Sequence, residues 1–103
     1  VRLFYMNTGQ AYYSFLTIAI LYNYLRKKDK KFVTYHSRYV LQKAGAYGYI
    51  PKFVQYILVK NISPMIDNQF RRLSKLTDAQ IQKELTNLNK KNPNYYGFVV
   101  NNS

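Results

Sequence analysis

The side chains able to do chemistry are few and far apart. His36 is the only histidine, and it stands in the basic, aromatic segment YHSRY. The acids are Asp29, Asp67, Asp78 and Glu84, no two of them close in sequence, and there is no cysteine. General acid–base work needs two titratable groups within reach of one substrate, and a metal site needs several ligands at fixed spacing. Neither pattern is present. The segment GAYG, Gly45 to Gly48, matches no phosphate-cradling glycine loop. A lone imidazole with dispersed carboxylates argues against an enzyme, and no cofactor, metal or small-molecule substrate is expected. Among Tyr35, Ser37 and Arg38, His36 suits a headgroup or phosphate contact better than proton transfer.

Positive charge is what the sequence holds in quantity. Sixteen Lys and Arg against four Asp and Glu give +12 over 103 residues, a charge that attracts RNA, DNA or acidic lipid headgroups. The abundant Asn, Lys, Tyr and Ile all have AT-rich codons, so coding bias contributes to the count. Basic and aromatic residues are interleaved, as in YHSRY and FRRLSK, the mixture that touches phosphates and stacks on bases. No zinc finger, RNP signature or KH-type GXXG loop accompanies them. One reading is therefore a small basic RNA-binding protein, such as a component of an organellar ribosome.

The rival reading starts from the element that precedes the densest charge. From Leu3 to Leu25 no side chain is charged, and a helix of that length is roughly 35 Å long. A hydrocarbon core is about 30 Å thick. Phe15, Leu16, Ile18, Ala19, Ile20, Leu21, Tyr22 and Leu25 fall on every side of the helical wheel, which leaves no broad polar face for solvent. Tyr5, Tyr12 and Tyr13 toward one end and Tyr22 and Tyr24 toward the other suit an interfacial belt. The run then switches abruptly to Arg26, Lys27, Lys28, Lys30 and Lys31, a stop-transfer arrangement whose ammonium groups would bind lipid headgroups. These charges follow the apolar run, and no small-residue cleavage site comes after it, so the segment is expected to be retained. Asn7, Gln10, Ser14 and Thr17 recur at a 3, 4, 3 spacing and form one polar stripe, readable as a face for a partner helix. Alternatively, Ser14 and Thr17 bond back to their own helix carbonyls.

Beyond the collar the sequence reads as short amphipathic helices. Thr34 is placed to cap a helix from Tyr35 to Lys43, with Gly45 as its stop. Pro51 opens KFVQYILVK, which is either a helix or a buried strand. Ser63 and Pro64 open another helix. In LTDAQIQKEL, Thr77 and Gln80 make a capping box, Leu76 and Ile81 a hydrophobic staple, and Asp78 lies where the helix dipole favours negative charge. The tail PNYYGFVVNNS is either a frayed end or an aromatic patch for docking. The expected fold is all-α: one N-terminal transmembrane helix followed by a small extramembrane domain of short amphipathic helices. Its parts are residues 1–31 with the collar, 32–92, and an aromatic tail over 93–103.

This layout resembles the single-pass accessory subunits of mitochondrial inner-membrane complexes, namely respiratory complex I, cytochrome oxidase or the ATP synthase. The resemblance implies a non-catalytic scaffold whose partners are the other subunits of a large membrane complex. It also implies an acidic phospholipid such as cardiolipin at the collar, and by the charge rule a C-terminal domain in the matrix.

Overall fold

Six helices follow one another along the chain: α1 (Arg2–Arg26), α2 (Lys30–Ala46), α3 (Lys52–Lys60), α4 (Ile62–Leu73), α5 (Asp78–Lys91) and α6 (Pro93–Asn101). The computed structural model describes the backbone of residues 2–102 and the side chains of residues 12–102. Helix α1 is the axis of the molecule. At about 1.5 Å per residue its 25 residues reach roughly 37 Å, matching the longest principal extent of 37 Å. Helices α2, α5 and α6 pack along it.

That arrangement overturns the transmembrane helix expected over residues 3–25. Among the described residues, no helix is long and apolar enough to cross a membrane. Helix α1 has the length; its tyrosines and amides, Tyr12, Tyr13, Tyr22, Asn23 and Tyr24, hold its apolarity down. A helix that is apolar on every side is either in lipid or inside a protein core, and the wheel does not distinguish the two. Here Phe15, Leu16, Ile18, Ala19, Ile20 and Leu21 are all fully buried by the chain's own helices. The all-α class stands.

Aromatic contacts fix the surrounding helices to this axis. Phe15 meets Tyr95 edge-on at 5.0 Å and Phe98 at 5.9 Å, which docks α6. Tyr24 meets Phe70 edge-on at 5.1 Å and ties in α4. Pairs of this kind contribute about 0.5–1.5 kcal/mol beyond the area they bury. Residues 93–101, expected as a tail, are therefore a helix seated on α1, with Phe98 and Val99 buried.

The supposed juxtamembrane collar is a corner between two helices. Arg26 ends α1, residues 27–29 cross over, and Lys30 and Lys31 begin α2. Asp29 makes the turn possible by capping α2, its carboxylate accepting from the backbone N–H of Lys31 at 2.9 Å and of Phe32 at 3.4 Å. Thr34, expected as that cap, lies inside the helix and donates to the Lys30 carbonyl at 2.8 Å. Residues 52–60, open between helix and strand, are helix α3. Helix α4 starts at Ile62 with Pro64 in its first turn, where a missing N–H costs nothing. The capping box of α5 is present in full, with Gln80 N–H donating to Thr77 Oγ1 at 3.2 Å and Thr77 N–H to Gln80 Oε1 at 2.9 Å. Leu76 packs on the core beside it and Ile81 is buried, as a staple requires.

Two glycines shape the α2–α3 connection. Gly48 turns the chain at φ 81°, in the left-handed region. Gly45 lets α3 come close, since a Cβ there would lie 2.9 Å from Cγ of Gln55. Tyr47 meets Phe98 edge-on at 5.9 Å and Tyr49 meets it at a tilt at 4.3 Å, which closes the corner against α6.

Candidate nucleic-acid interface

The acids lie outside helices α2 and α3: Asp29 just before α2, Asp67 on α4, and Asp78 and Glu84 on α5. Asp29 is spent on the α2 cap; Asp78 pairs with Lys28 at 3.0 Å, Asp67 pairs with Lys30, and Glu84 holds Arg72 through two bonds of 2.9 Å. From Lys30 to Ile66 the sequence contains no carboxylate at all. Helices α2 and α3 lie wholly within that interval. Of the large apolar side chains that stand exposed among the described residues, all but Tyr13 lie between Tyr35 and Ile57. Basic residues and exposed aromatic rings thus occur together, with no acid among them, on these two helices and their connection.

Helix α2 sorts its residues sharply. Val33, Ser37, Val40, Leu41, Ala44 and Gly45 are buried. Lys31, Tyr35, Arg38, Tyr39, Gln42 and Ala46 are exposed and, at 100° per residue, fall within about 100° of arc. Lys43 flanks this stripe, its ammonium 5.4 Å from the Tyr39 ring and 5.6 Å from the Tyr47 ring. The neighbouring Tyr39 hydroxyl, by hydrogen bonding and then by charge, holds the Lys43 pKa above the ordinary lysine value. Lys31 to Lys43 spans roughly 18 Å of helix. Lys31, Arg38 and Lys43 form no ion pair among the described residues.

Two shallow grooves run beside the stripe and meet at Tyr35. One, of about 420 Å³, is lined by Tyr35, His36, Tyr39, Lys43, Asn101 and Asn102. The other, of about 300 Å³, is lined by Lys30, Lys31, Thr34, Tyr35 and Arg38. In the first, Asn102 is held by donating from Nδ2 to the Phe98 carbonyl at 2.9 Å. Tyr35, 67% exposed, presents an open ring between the two. A flat exposed ring with cations on either side can stack a base while the ammonium and guanidinium groups hold its phosphates.

His36 does not supply one of those cations. Its ring is half-buried, tilted against Phe32 at 4.3 Å and edge-on to Tyr35 at 5.5 Å, and Nδ1 is enclosed without a hydrogen-bond partner. Burial, and secondly the Arg26 guanidinium, push its pKa below the ordinary 6.5. The phosphate or headgroup contact expected of it is therefore poorly served at neutral pH. The folded chain binds this proton less readily than the unfolded chain, so stability is complete above pH 6.5 and declines as pH falls through that value. Melting temperatures of wild type and His36→Gln, taken between about pH 7.5 and pH 5, should show a smaller acid-side decline in the variant. Parallel declines would place the pH dependence elsewhere.

The structure divides the five residues of the basic collar among different tasks. Arg26 lies 5.6 Å from the rings of both Tyr22 and Phe32, and Lys27 lies 5.5 Å from Phe32. Lys28 and Lys30 are neutralised by Asp78 and Asp67. Only Lys31 of the five joins the α2 stripe. On the proposed partner face, Ser14 and Thr17 are half-buried beside exposed Tyr13, and the Thr17 hydroxyl donates to the Tyr13 carbonyl at 2.9 Å. The side chains of Asn7 and Gln10 lie outside the described residues. Arg38 belongs to the basic, aromatic segment YHSRY, whereas Lys43 lies outside it. The signal for the stripe was available: Lys31, Tyr35, Arg38 and Gln42 repeat at 4, 3, 4 in a segment without acids.

Among the described residues no group of His, Asp and Glu is placed to hold a metal ion. No family model, curated protein or solved structure matches this chain. Its function is therefore argued from the surface itself.

Proposed function

We propose that the protein is a non-catalytic nucleic-acid-binding module that holds single-stranded RNA along the outer face of α2. The supporting observation is the acid-free stripe on which Lys31, Arg38 and Lys43 alternate with the exposed rings of Tyr35 and Tyr39. Single strands are favoured because their bases are free to stack on those rings, whereas a duplex keeps its bases paired and offers only phosphates. The accessory-subunit expectation drew its support from a bilayer span. With α1 enclosed by its own chain, that support is withdrawn.

Fluorescence anisotropy with a labelled unstructured RNA, a hairpin duplex of equal length and single-stranded DNA tests the reading. The single strand should bind tightest. Its log K should fall linearly with log salt, with a slope of about −2 attributable to Lys31, Arg38 and Lys43 at about −0.7 per phosphate. Equal affinity for duplex and single strand would reduce the role of the stripe to diffuse charge attraction. Absence of binding at low salt would remove the proposal altogether.

A further inference from the structure

Helix α3 is apolar on two sides, and only one of them faces the core. Leu58 is buried and Val54 and Val59 pack against the interior. On the outside, Phe53 is 69% exposed, Tyr56 63% and Ile57 50%, at positions that fall on one helical face. Lys52 and Lys60 bracket that face at the two ends of the helix, and both are exposed. The Lys60 ammonium lies 5.8 Å from the Tyr56 ring, its stem running beside the aromatic surface. Immediately before α3 come Tyr47 and Tyr49, also exposed.

We infer that α3 seats on an anionic lipid surface, with Phe53, Tyr56 and Ile57 entering the headgroup boundary and Lys52 and Lys60 lying among the phosphates. Interfacial helices join these two features, an apolar face and a cationic margin, and lie in the membrane plane without crossing it. The charge complementarity is one-sided: no carboxylate lies on α3 or anywhere from Lys30 to Ile66 to oppose approach to acidic lipid. A second copy of this chain fits less well. Nine residues make a helix about 13 Å long, whose face falls far short of the roughly 800 Å² per partner of a stable interface, and two chains of +12 repel one another. RNA fits less well too, because Ile57 has no π face and fills the space beside Phe53 where a stacked base would extend. This surface is additional to the α2 stripe. It also gives acidic phospholipid a place different from the collar, most of whose charges are occupied within the fold.

The chain contains no tryptophan, so Tyr56→Trp provides a single fluorescent reporter at the centre of the face. Its emission should shift to the blue, and the protein should float, with vesicles of phosphatidylcholine and phosphatidylglycerol but not with phosphatidylcholine alone. Phe53→Ser with Ile57→Ser should keep its helical circular dichroism and lose vesicle binding by roughly tenfold or more. Lys52→Gln with Lys60→Gln should weaken binding chiefly at low salt. The Lys31, Arg38 and Lys43 variant described below should still float. Undiminished flotation of the Phe53 and Ile57 variant would overturn the inference, leaving general charge as the cause. A blue shift that rises with protein concentration without lipid would overturn it in favour of self-association, and a shift seen only with RNA would assign the face to the nucleic acid.

Discussion

Ile18→Arg is expected to leave the chain largely unfolded at room temperature, with loss of most of its far-ultraviolet helical signal. Ile18 is fully buried at the middle of α1, enclosed with Phe15, Leu16 and Leu21 by the surrounding helices. An Arg there stays charged, because the guanidinium is not deprotonated in proteins. No acid on α1 meets it, and Asp67, Asp78 and Glu84 are engaged at the surface with Lys30, Lys28 and Arg72. An unpaired buried charge costs several kcal/mol, loss of the isoleucine burial adds about 1.5–3, and the extra bulk about 1–3. Against a total stability of about 5–15 kcal/mol, that sum is decisive. Thr17→Arg, one position earlier and half-exposed, is the control: it should fold, with a loss of about 1 kcal/mol or less. A folded Ile18→Arg melting within a few degrees of wild type would show that α1 is not the enclosed axis of the fold.

The same residue explains how the sequence misleads. Leu3 to Leu25 lacks charge and is apolar around the wheel, and both conditions are met equally by a helix in lipid and by one wrapped by α2, α5 and α6. What separates them is long-range: the stripes on the other helices have to find α1, and a local pattern does not carry that information. The basic run after Leu25 compounded the ambiguity, since a corner between two packed helices and a stop-transfer signal look alike until Asp29 is recognised as a cap. Where the determinant is local, the sequence was readable. Thr77, Gln80, Leu76 and Ile81 set the start of α5 through contacts within a single turn. The tail expected over 93–103 was ambiguous because Tyr95 and Phe98 acquire their meaning from Phe15, far away in sequence. The candidate site was half legible. Tyr35 and the YHSRY segment stood out by composition, whereas Lys43 becomes part of the stripe only when Tyr39 and Tyr47 are seen on either side of it.

The second large effect separates charge from stacking on α2. Lys31→Gln, Arg38→Gln and Lys43→Gln together should make the salt dependence of single-stranded RNA binding shallower by about 2 units of slope, and weaken all RNA sequences alike. Tyr35→Ala should act differently. It removes one stacking platform worth about 1–3 kcal/mol, or roughly fivefold to 150-fold in affinity, and leaves the slope unchanged because no phosphate contact is lost. Tyr35→Phe keeps the ring and should bind within about twofold of wild type, so a loss there would point to the hydroxyl instead. All of these side chains are at least partly exposed and carry no core contact, so melting temperatures should move little and the affinities can be compared directly. If Tyr35→Ala changes the salt slope as the triple variant does, the ring acts only by positioning Lys31 and Arg38. If the triple variant keeps the wild-type slope, the phosphates lie elsewhere, and the cations toward the end of α4, Arg71 and Lys75, become the next to replace.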